Sequence, residues 1–242
     1  MSKPRLLDLF CGAGGATKGY QRAGFYVVGV DIAPQPNYCG DEFVQHNAVT
    51  YEWGDFDALH ASPPCQPFTR YNNMRPDLPA RYPDLVDIMR ERFQYTPTPW
   101  VMENVQGAPL INPIMLCGSM FGLDVQRHRF FEMSHAPLML PPCQHEWTPD
   151  RFPGGRSMQR GGHSRAKVRA TVEIGSWDIP LEVQQQAMGM DWTTLSELSE
   201  AIPPAYTEWI GRELLHALSG VSGGSEPKKF PEGTPTERTP QP

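Results

Sequence analysis
The residues able to do chemistry in this chain stand at the ends of short apolar runs. Asp57-Ala58-Leu59-His60-Ala61 is followed by Ser62-Pro63-Pro64-Cys65-Gln66-Pro67-Phe68. Prolines fix φ on both sides of Cys65. A rigid loop that presents one thiol at the end of a strand fills a core poorly and aims a nucleophile well. A second run, Trp100-Val101-Met102-Glu103-Asn104-Val105, carries a glutamate near its end. A thiolate beside a carboxylic acid suits covalent activation of an electron-poor ring. The sulfur adds to the ring, and the acid stabilises the charge that develops on a ring nitrogen.

Such a pair must be positioned by strands that end side by side. Arg5 to Phe10 reads as a first strand, Cys11-Gly12-Ala13-Gly14-Gly15 as a tight turn, and Ala16 to Ala23 as a helix. This is the opening of a nucleotide-binding αβ unit, with glycines that let a ligand approach a helix N-terminus. Tyr26 to Asp31 is a second strand ending in a carboxylate, where ribose hydroxyls are commonly held. Phe43 to Asn47, Leu59 to Ala61 and Trp100 to Val105 are expected as strands three to five. In a doubly wound sheet their carboxyl ends share one crevice, so Cys65 and Glu103 should sit near the glycine turn. Asp84 to Gln94 is expected to be a helix with Leu85, Ile88, Met89 and Phe93 on its apolar side. Thr69 to Pro83 reads as a long loop beside the nucleophile, a lid or substrate-contacting segment. An apolar strand follows Arg127-His128-Arg129, and Pro180 to Met188 and Pro204 to Leu218 look helical.

Composition bounds the rest. The chain has 242 residues, a net charge of -6, 39% hydrophobic residues and five cysteines without a CxxC. An odd, scattered set of cysteines favours thiols over a disulfide framework. No apolar run approaches the ~20 residues that span a bilayer, and the start runs straight into a strand-like segment without a secretory signal. An intracellular chain is therefore expected. The overall charge does not suit a general polyanion binder, so a nucleic-acid surface must be local. Arg151, Arg156, Arg160, Arg165, Lys167 and Arg169 form such a place, on a Gly- and Pro-rich stretch with no acid between them. From Ser219 onward the composition is that of a disordered tail.

Four ordered motifs resemble those of the DNA cytosine-5 methyltransferases. Asp8-Leu9-Phe10-Cys11-Gly12-Ala13-Gly14-Gly15 is similar to the family's cofactor motif, Pro64-Cys65-Gln66 to its catalytic loop, Glu103-Asn104-Val105 to its glutamate motif and Arg127-His128-Arg129 to its Arg-x-Arg motif. The likeness runs from about Arg5 to Leu218, apart from residues 135–178. It implies an α/β fold with a Rossmann-like, S-adenosylmethionine-dependent methyltransferase sheet and a small irregular target-recognition region. Residues 1–134 would form the catalytic and cofactor-binding domain, 135–178 the target-recognition region, 179–218 C-terminal helices completing the catalytic domain, and 219–242 the tail. S-adenosylmethionine would lie against Phe10, Gly12, Gly14, Gly15, Asp31, Ile32, Asn47 and Pro64. Cys65 would attack C6 of a cytosine flipped from double-stranded DNA, and Glu103 would grip N3 and the exocyclic amine. Arg129 and Arg127 would hold the base or a nearby phosphate. Gln66 and the six basic residues from Arg151 to Arg169 would meet the DNA. A monomer is expected, working in a bacterial cell or a phage-infected host.

Departures from the family pattern are local. Asn47 stands where an acid usually meets the adenine, and Ser199-Glu200-Ala201-Ile202-Pro203 replaces a Gly-Asn pair before Val-Pro. This shorter ending resembles compact bacteriophage members. Cys11 is read as packing in the glycine turn, and Cys39 and Cys117 as structural or incidental. Cys143 and His145 with His135 or His163 lack the spacing of a standard zinc site, so no metal is expected. Two other functions compete: methylation of tRNA, disfavoured because the Cys-Phe-Thr signature is missing, and a catalytically silent DNA-binding protein, disfavoured by intact Cys65, Glu103 and Arg129. The target sequence, and the choice between restriction protection, marking of a viral genome and preparation of cytosine for further modification, are not legible.

Overall fold
Residues buried along nearly a whole strand belong at the centre of a parallel sheet, covered on both faces. A computed structural model of the chain, describing residues 2–68, 83–135, 137, 139, 140, 142, 143, 145 and 171–220, has that sheet. Its strands are β1 (Arg5–Leu9), β2 (Tyr26–Asp31), β3 (Glu42–Gln45), β4 (Ala58–Ala61), β5 (Trp100–Asn104), β6 (Ile114–Leu116) and β7 (Arg129–Met133). They lie in the order β3-β2-β1-β4-β5-β7-β6. The first five are parallel, β7 runs antiparallel to β5, and β6 antiparallel to β7. The order reverses direction between β1 and β4, and a crevice opens outside the carboxyl ends of strands at such a switch point.

Alternate side chains feed two cores, as the period of a strand requires. Leu6, Val27, Ala58, Val101 and Phe131 pack on one face with Ala16 and Tyr20 of α1 (Gly15–Ala23). Leu7, Val28, Leu59 and Met102 pack on the other with Val86, Met89 and Phe93 of a second helix, α2 (Val86–Gln94). Two further helices, α3 (Leu181–Met188) and α4 (Leu195–Glu200), precede the long α5 (Pro204–Gly220). α5 closes the first face with Tyr206, Ile210 and Leu214. It lies so close to α1 that a Cβ on Gly19 would stand 2.0 Å from Thr207 Oγ1 and 2.2 Å from the Pro204 carbonyl oxygen. Thr207 Oγ1 donates to the Ala16 carbonyl at 2.8 Å, across the same contact.

Several expectations shift. The buried face of α2 is Val86, Met89, Arg90 and Phe93, with i, i+3, i+4, i+7 spacing, so Ile88 falls outside it and is 42% exposed. Arg90 is buried because Glu132 of β7 meets its guanidinium with both oxygens at 2.8 Å, and the Ile111 N–H completes the carboxylate's hydrogen bonding. The third strand lies at Glu42–Gln45, leaving Asn47 in the turn after it. α5 continues through Ser219 to Gly220, past the expected start of the tail. Neither β6 nor α4 is among the expected elements. Residues 69–82 of the expected lid (69–83), the basic stretch over 151–169, His163 and the tail from 221 lie outside the described residues.

Candidate active site at the carboxyl edge of the sheet
Strand register aligns the chemistry. Leu9 pairs with Val30 on one side and Ala61 on the other, and Ala61 pairs with Met102. One residue further along, Phe10, Asp31, Ser62 and Glu103 therefore form a line across the switch point.

The glycine turn occupies one side of that line. Gly12 N–H donates to Asp31 Oδ2 at 3.0 Å, and Asp31 Oδ1 accepts from Ala33 N–H at 3.0 Å. Each carboxylate oxygen retains a lone pair for a further donor, such as a ribose hydroxyl. Gly14 caps α1 at φ 89°, and a Cβ there would stand 2.8 Å from Cys39 Sγ. A Cβ on Gly12 would meet nothing within 4 Å, so open space lies against the turn. Phe10 is held at φ 61°, a strained left-handed backbone for a residue with a side chain. Ile32 beside Asp31 is 69% exposed. Asn47 Oδ1 accepts from Val49 N–H at 2.9 Å, which pins this exposed side chain as the closure of a local turn. Burial pushes the Cys11 thiol far above its ordinary pKa, which suits packing and not reaction.

Across the switch point, Ser62 N–H donates to the Leu9 carbonyl at 3.1 Å, and Pro63 and Pro64 carry the chain to Cys65. A 3-10 turn, Gln66–Phe68, follows, with Phe68 N–H donating to the Cys65 carbonyl at 3.0 Å. Asn104, fully buried, donates from Nδ2 to the Pro63 carbonyl at 3.0 Å and so ties β5 to the cysteine loop. In the sequence Asn104 is only a member of the glutamate motif, with no task of its own. Burial and the Glu103 carboxylate push the half-buried Cys65 thiol up, while the Arg129 and Arg127 guanidiniums pull it down.

Glu103 is 5% exposed. Burial raises its pKa against the opposing pull of Arg129 and Arg127. Arg129 Nε lies 3.0 Å from Glu103 Oε1, yet Oε1 accepts no hydrogen bond among the described residues. Glu103 thus presents a buried oxygen that lacks a well-directed donor. Arg127 differs from Arg129. Its guanidinium donates to the backbone carbonyls of Ser199 and Ala201, and its own carbonyl accepts from Tyr206 O–H at 2.6 Å. Burial, then Arg129, lower its pKa to about 9. Arg127 therefore fastens the segment before α5 to the site, and Arg129 is the one that meets Glu103. Trp192, which no motif marked, donates from Nε1 to the Ala13 carbonyl at 2.9 Å and braces the glycine turn.

Sheet and site together define a Rossmann-like methyltransferase fold, and solved structures of low sequence identity share it. A prophage-encoded protein of E. coli described as a DNA modification methyltransferase aligns with a TM-score of 0.56 at 15% identity, covering 89% of this chain and 99% of that one. S. pombe Dnmt2 methyltransferase aligns with a TM-score of 0.54 at 15% identity, over 90% and 99%. Entamoeba histolytica EhMeth aligns with a TM-score of 0.55 at 13% identity, over 90% and 99%. No curated protein matches the chain. Residues 4–110, which carry the glycine turn, Asp31, Cys65 and Glu103, match the model of the C-5 cytosine-specific DNA methylases. The match spans 107 of the 242 residues, the part in which the chain is similar to that family. Enzymes of this family are S-adenosylmethionine-dependent.

Proposed function
We propose that the protein methylates C5 of cytosine in double-stranded DNA, taking the methyl group from S-adenosylmethionine and passing through a covalent bond between Cys65 and C6. The observation that carries this reading is the convergence of Cys65, Glu103 and Arg129 at the switch point, one strand away from the glycine turn and Asp31. The open face of Gly12, the strained Phe10 and the spare lone pairs of Asp31 fit the cofactor, with exposed Ile32 and the Asn47 amide beside them. S-adenosylmethionine supplies an electrophilic methyl on a sulfonium.

The chain's own residues do the remainder. A target base must leave the duplex, because C5 and C6 are shielded within the stack. Cys65 sulfur forms a bond to C6, and the ring electrons move toward N3. Glu103, whose burial favours its protonated form, gives N3 a proton, and Arg129 fixes the carboxyl group for that contact. C5, now electron-rich, takes the methyl. A base from solvent takes the C5 proton, the Cys65–C6 bond breaks with the sulfur leaving as thiolate, and N3 returns its proton to Glu103, which restores the aromatic ring. Pro63 and Pro64, anchored by Asn104, hold the sulfur in line. Gln66 and Arg151, Arg156, Arg160, Arg165, Lys167 and Arg169 would contact the duplex, the basic residues chiefly through phosphates.

Incubation with methyl-labelled S-adenosylmethionine and either duplex DNA or tRNA tests the substrate. Label should enter duplex DNA and be absent with Cys65→Ala. Label in tRNA alone would overturn the DNA reading.

A further inference from the structure
Beyond the methyl-transfer site, four side chains from three distant stretches meet at one point. Cys117 follows β6, His128 precedes β7, and Cys143 and His145 lie beyond β7. Their nearest ligand atoms all lie within 4.8 Å of one another. His145 Nε2 is 3.3 Å from Cys117 Sγ, 3.2 Å from Cys143 Sγ and 3.2 Å from His128 Nε2. Cys143 Sγ is 3.8 Å from His128 Nε2.

Hydrogen bonding alone does not account for this arrangement. An imidazole nitrogen has either one N–H or one lone pair, so His145 Nε2 can serve one partner, and here three converge on it. One cation at the centre serves all four atoms at once. A tetrahedral zinc ion, with Zn–S about 2.3 Å and Zn–N about 2.0–2.1 Å, sets its ligand atoms about 3.3 to 3.8 Å apart. Four of the six separations here run from 3.2 to 3.8 Å, and all six lie within 4.8 Å. Cys117 Sγ also accepts from Ser119 O–H at 3.2 Å, an outer contact of the kind a metal-bound thiolate uses.

The geometry points to a structural zinc site formed by Cys117, His128, Cys143 and His145. Four protein ligands close the coordination sphere, which makes the site structural and not catalytic. Two thiolates and two imidazoles select zinc over calcium or magnesium, which take oxygen ligands. Binding displaces the thiol protons, so affinity falls in acid. Such a site departs from the expectation of no metal, and it takes Cys117 and His128 in place of His135 or His163 as partners of Cys143 and His145. The site also has a place in the molecule. His128 stands between Arg127 and Arg129, and its carbonyl accepts from Arg129 Nη1 at 3.1 Å. The ion would pin the backbone that presents Arg129 to Glu103, and join it to the start of the region leading into the arginine-rich stretch.

The test uses the full chain, produced with zinc and a thiol reductant and then dialysed against metal-free buffer. Elemental analysis should give about one zinc ion per chain. Cobalt substitution should give the visible bands of a tetrahedral ion with a thiolate charge-transfer band in the near ultraviolet. Because His145 is exposed, His145→Ala should stay folded by circular dichroism yet bind zinc at least about tenfold more weakly in competition with a chelating dye. Cys143→Ala should lose the charge-transfer intensity of one thiolate. Less than about a tenth of an ion per chain under zinc saturation, an octahedral cobalt spectrum, full zinc affinity in His145→Ala, or a Cys117–Cys143 disulfide in the reduced preparation would each overturn the site.

Discussion

At the scale of single residues, function depends on environments that change what ordinary groups do. Glu103 is buried beside an arginine and keeps an oxygen without a hydrogen bond among the described residues. Glu103→Gln preserves shape and can still donate to N3, but it cannot transfer a proton. Turnover should fall by about 10² to 10⁴ with cofactor affinity unchanged, measured by steady-state methylation and by titration of S-adenosylmethionine. Asp8 shows the same effect away from the chemistry. It is fully buried in β1, accepts from Thr17 O–H through Oδ2, and leaves Oδ1 unpaired among the described residues. Burial raises its pKa to about 7. Between the unfolded carboxyl pKa near 3.9 and pH about 7 the unfolded chain releases a proton that the folded chain retains, so stability falls as pH rises, by up to about 1.4 kcal/mol per unit. His60 runs the other way. Its Nδ1 lies 2.8 Å from Tyr20 Oη and its Nε2 2.9 Å from Ser62 Oγ, and burial lowers its pKa to about 3. Its contribution to stability is present above pH ~6.5 and is lost as pH falls toward 3. The two slopes oppose each other between about pH 4 and 6.5. Asp8→Asn removes only the first, so its stability relative to wild type should improve steadily from about pH 4.5 to 7 in urea melts. A constant difference across that range would contradict the assignment.

At the scale of elements, two contacts hold the site's frame. The α1–α5 crossing leaves no room for a methyl group at Gly19. Gly19→Ala should destabilise the fold by about 1–3 kcal/mol through forced backbone movement, in spite of alanine's better helix propensity. The Arg90–Glu132 pair joins α2 to β7 inside the protein. Glu132→Ala leaves the buried guanidinium with only Asp87 and the Pro109 carbonyl and should cost up to about 3–5 kcal/mol, read from chemical denaturation. Most of these elements were legible in the sequence. The apolar runs of β1, β2, β4 and β5 end at or beside the glycine turn, Asp31, the Cys65 loop and Glu103, and hydrophobic runs with terminal polar residues carry their own message. β6 was not legible because Ile114-Met115-Leu116 is too short to show a period. α4 could have been found: Thr194 and Glu197 form a capping box visible in the sequence. Arg90, by its type a polar position on α2, is buried because of a partner 42 residues away, and no local pattern carries that.

At the scale of the whole molecule, the sheet assembles what the chain separates. Cys65 and Glu103 were readable as a pair because doubly wound topology predicts a shared crevice. The tasks of Asn104, Arg127 and Trp192 were not, since each depends on a backbone carbonyl far along the chain. Of the proposed zinc ligands, Cys143 and His145 stood out in the sequence, whereas Cys117 and His128 did not, because the four are spread from Cys117 to His145 without a recognised spacing. DNA affinity belongs to this scale as well. The chain carries a net charge of -6, so attraction to phosphate must come from local basic groups such as those from Arg151 to Arg169. Replacing Arg156, Arg160 and Arg165 with glutamine should make log affinity less steep against log salt, by about 0.9 for each phosphate these side chains neutralise. An unchanged slope would exclude these residues from the interface.

The proposed function turns on one event, the bonding of Cys65 to cytosine during turnover. The direct measurement is intact-mass analysis, under denaturing conditions, of the protein incubated with S-adenosylmethionine and duplex DNA bearing 5-fluorocytosine at its methylation site. Fluorine at C5 cannot leave as a proton, so a stable protein–DNA adduct should form that maps to Cys65 and is absent in Cys65→Ala. Normal methylation of ordinary cytosine with no adduct on the fluorinated duplex, or an adduct mapping to another residue, would contradict it.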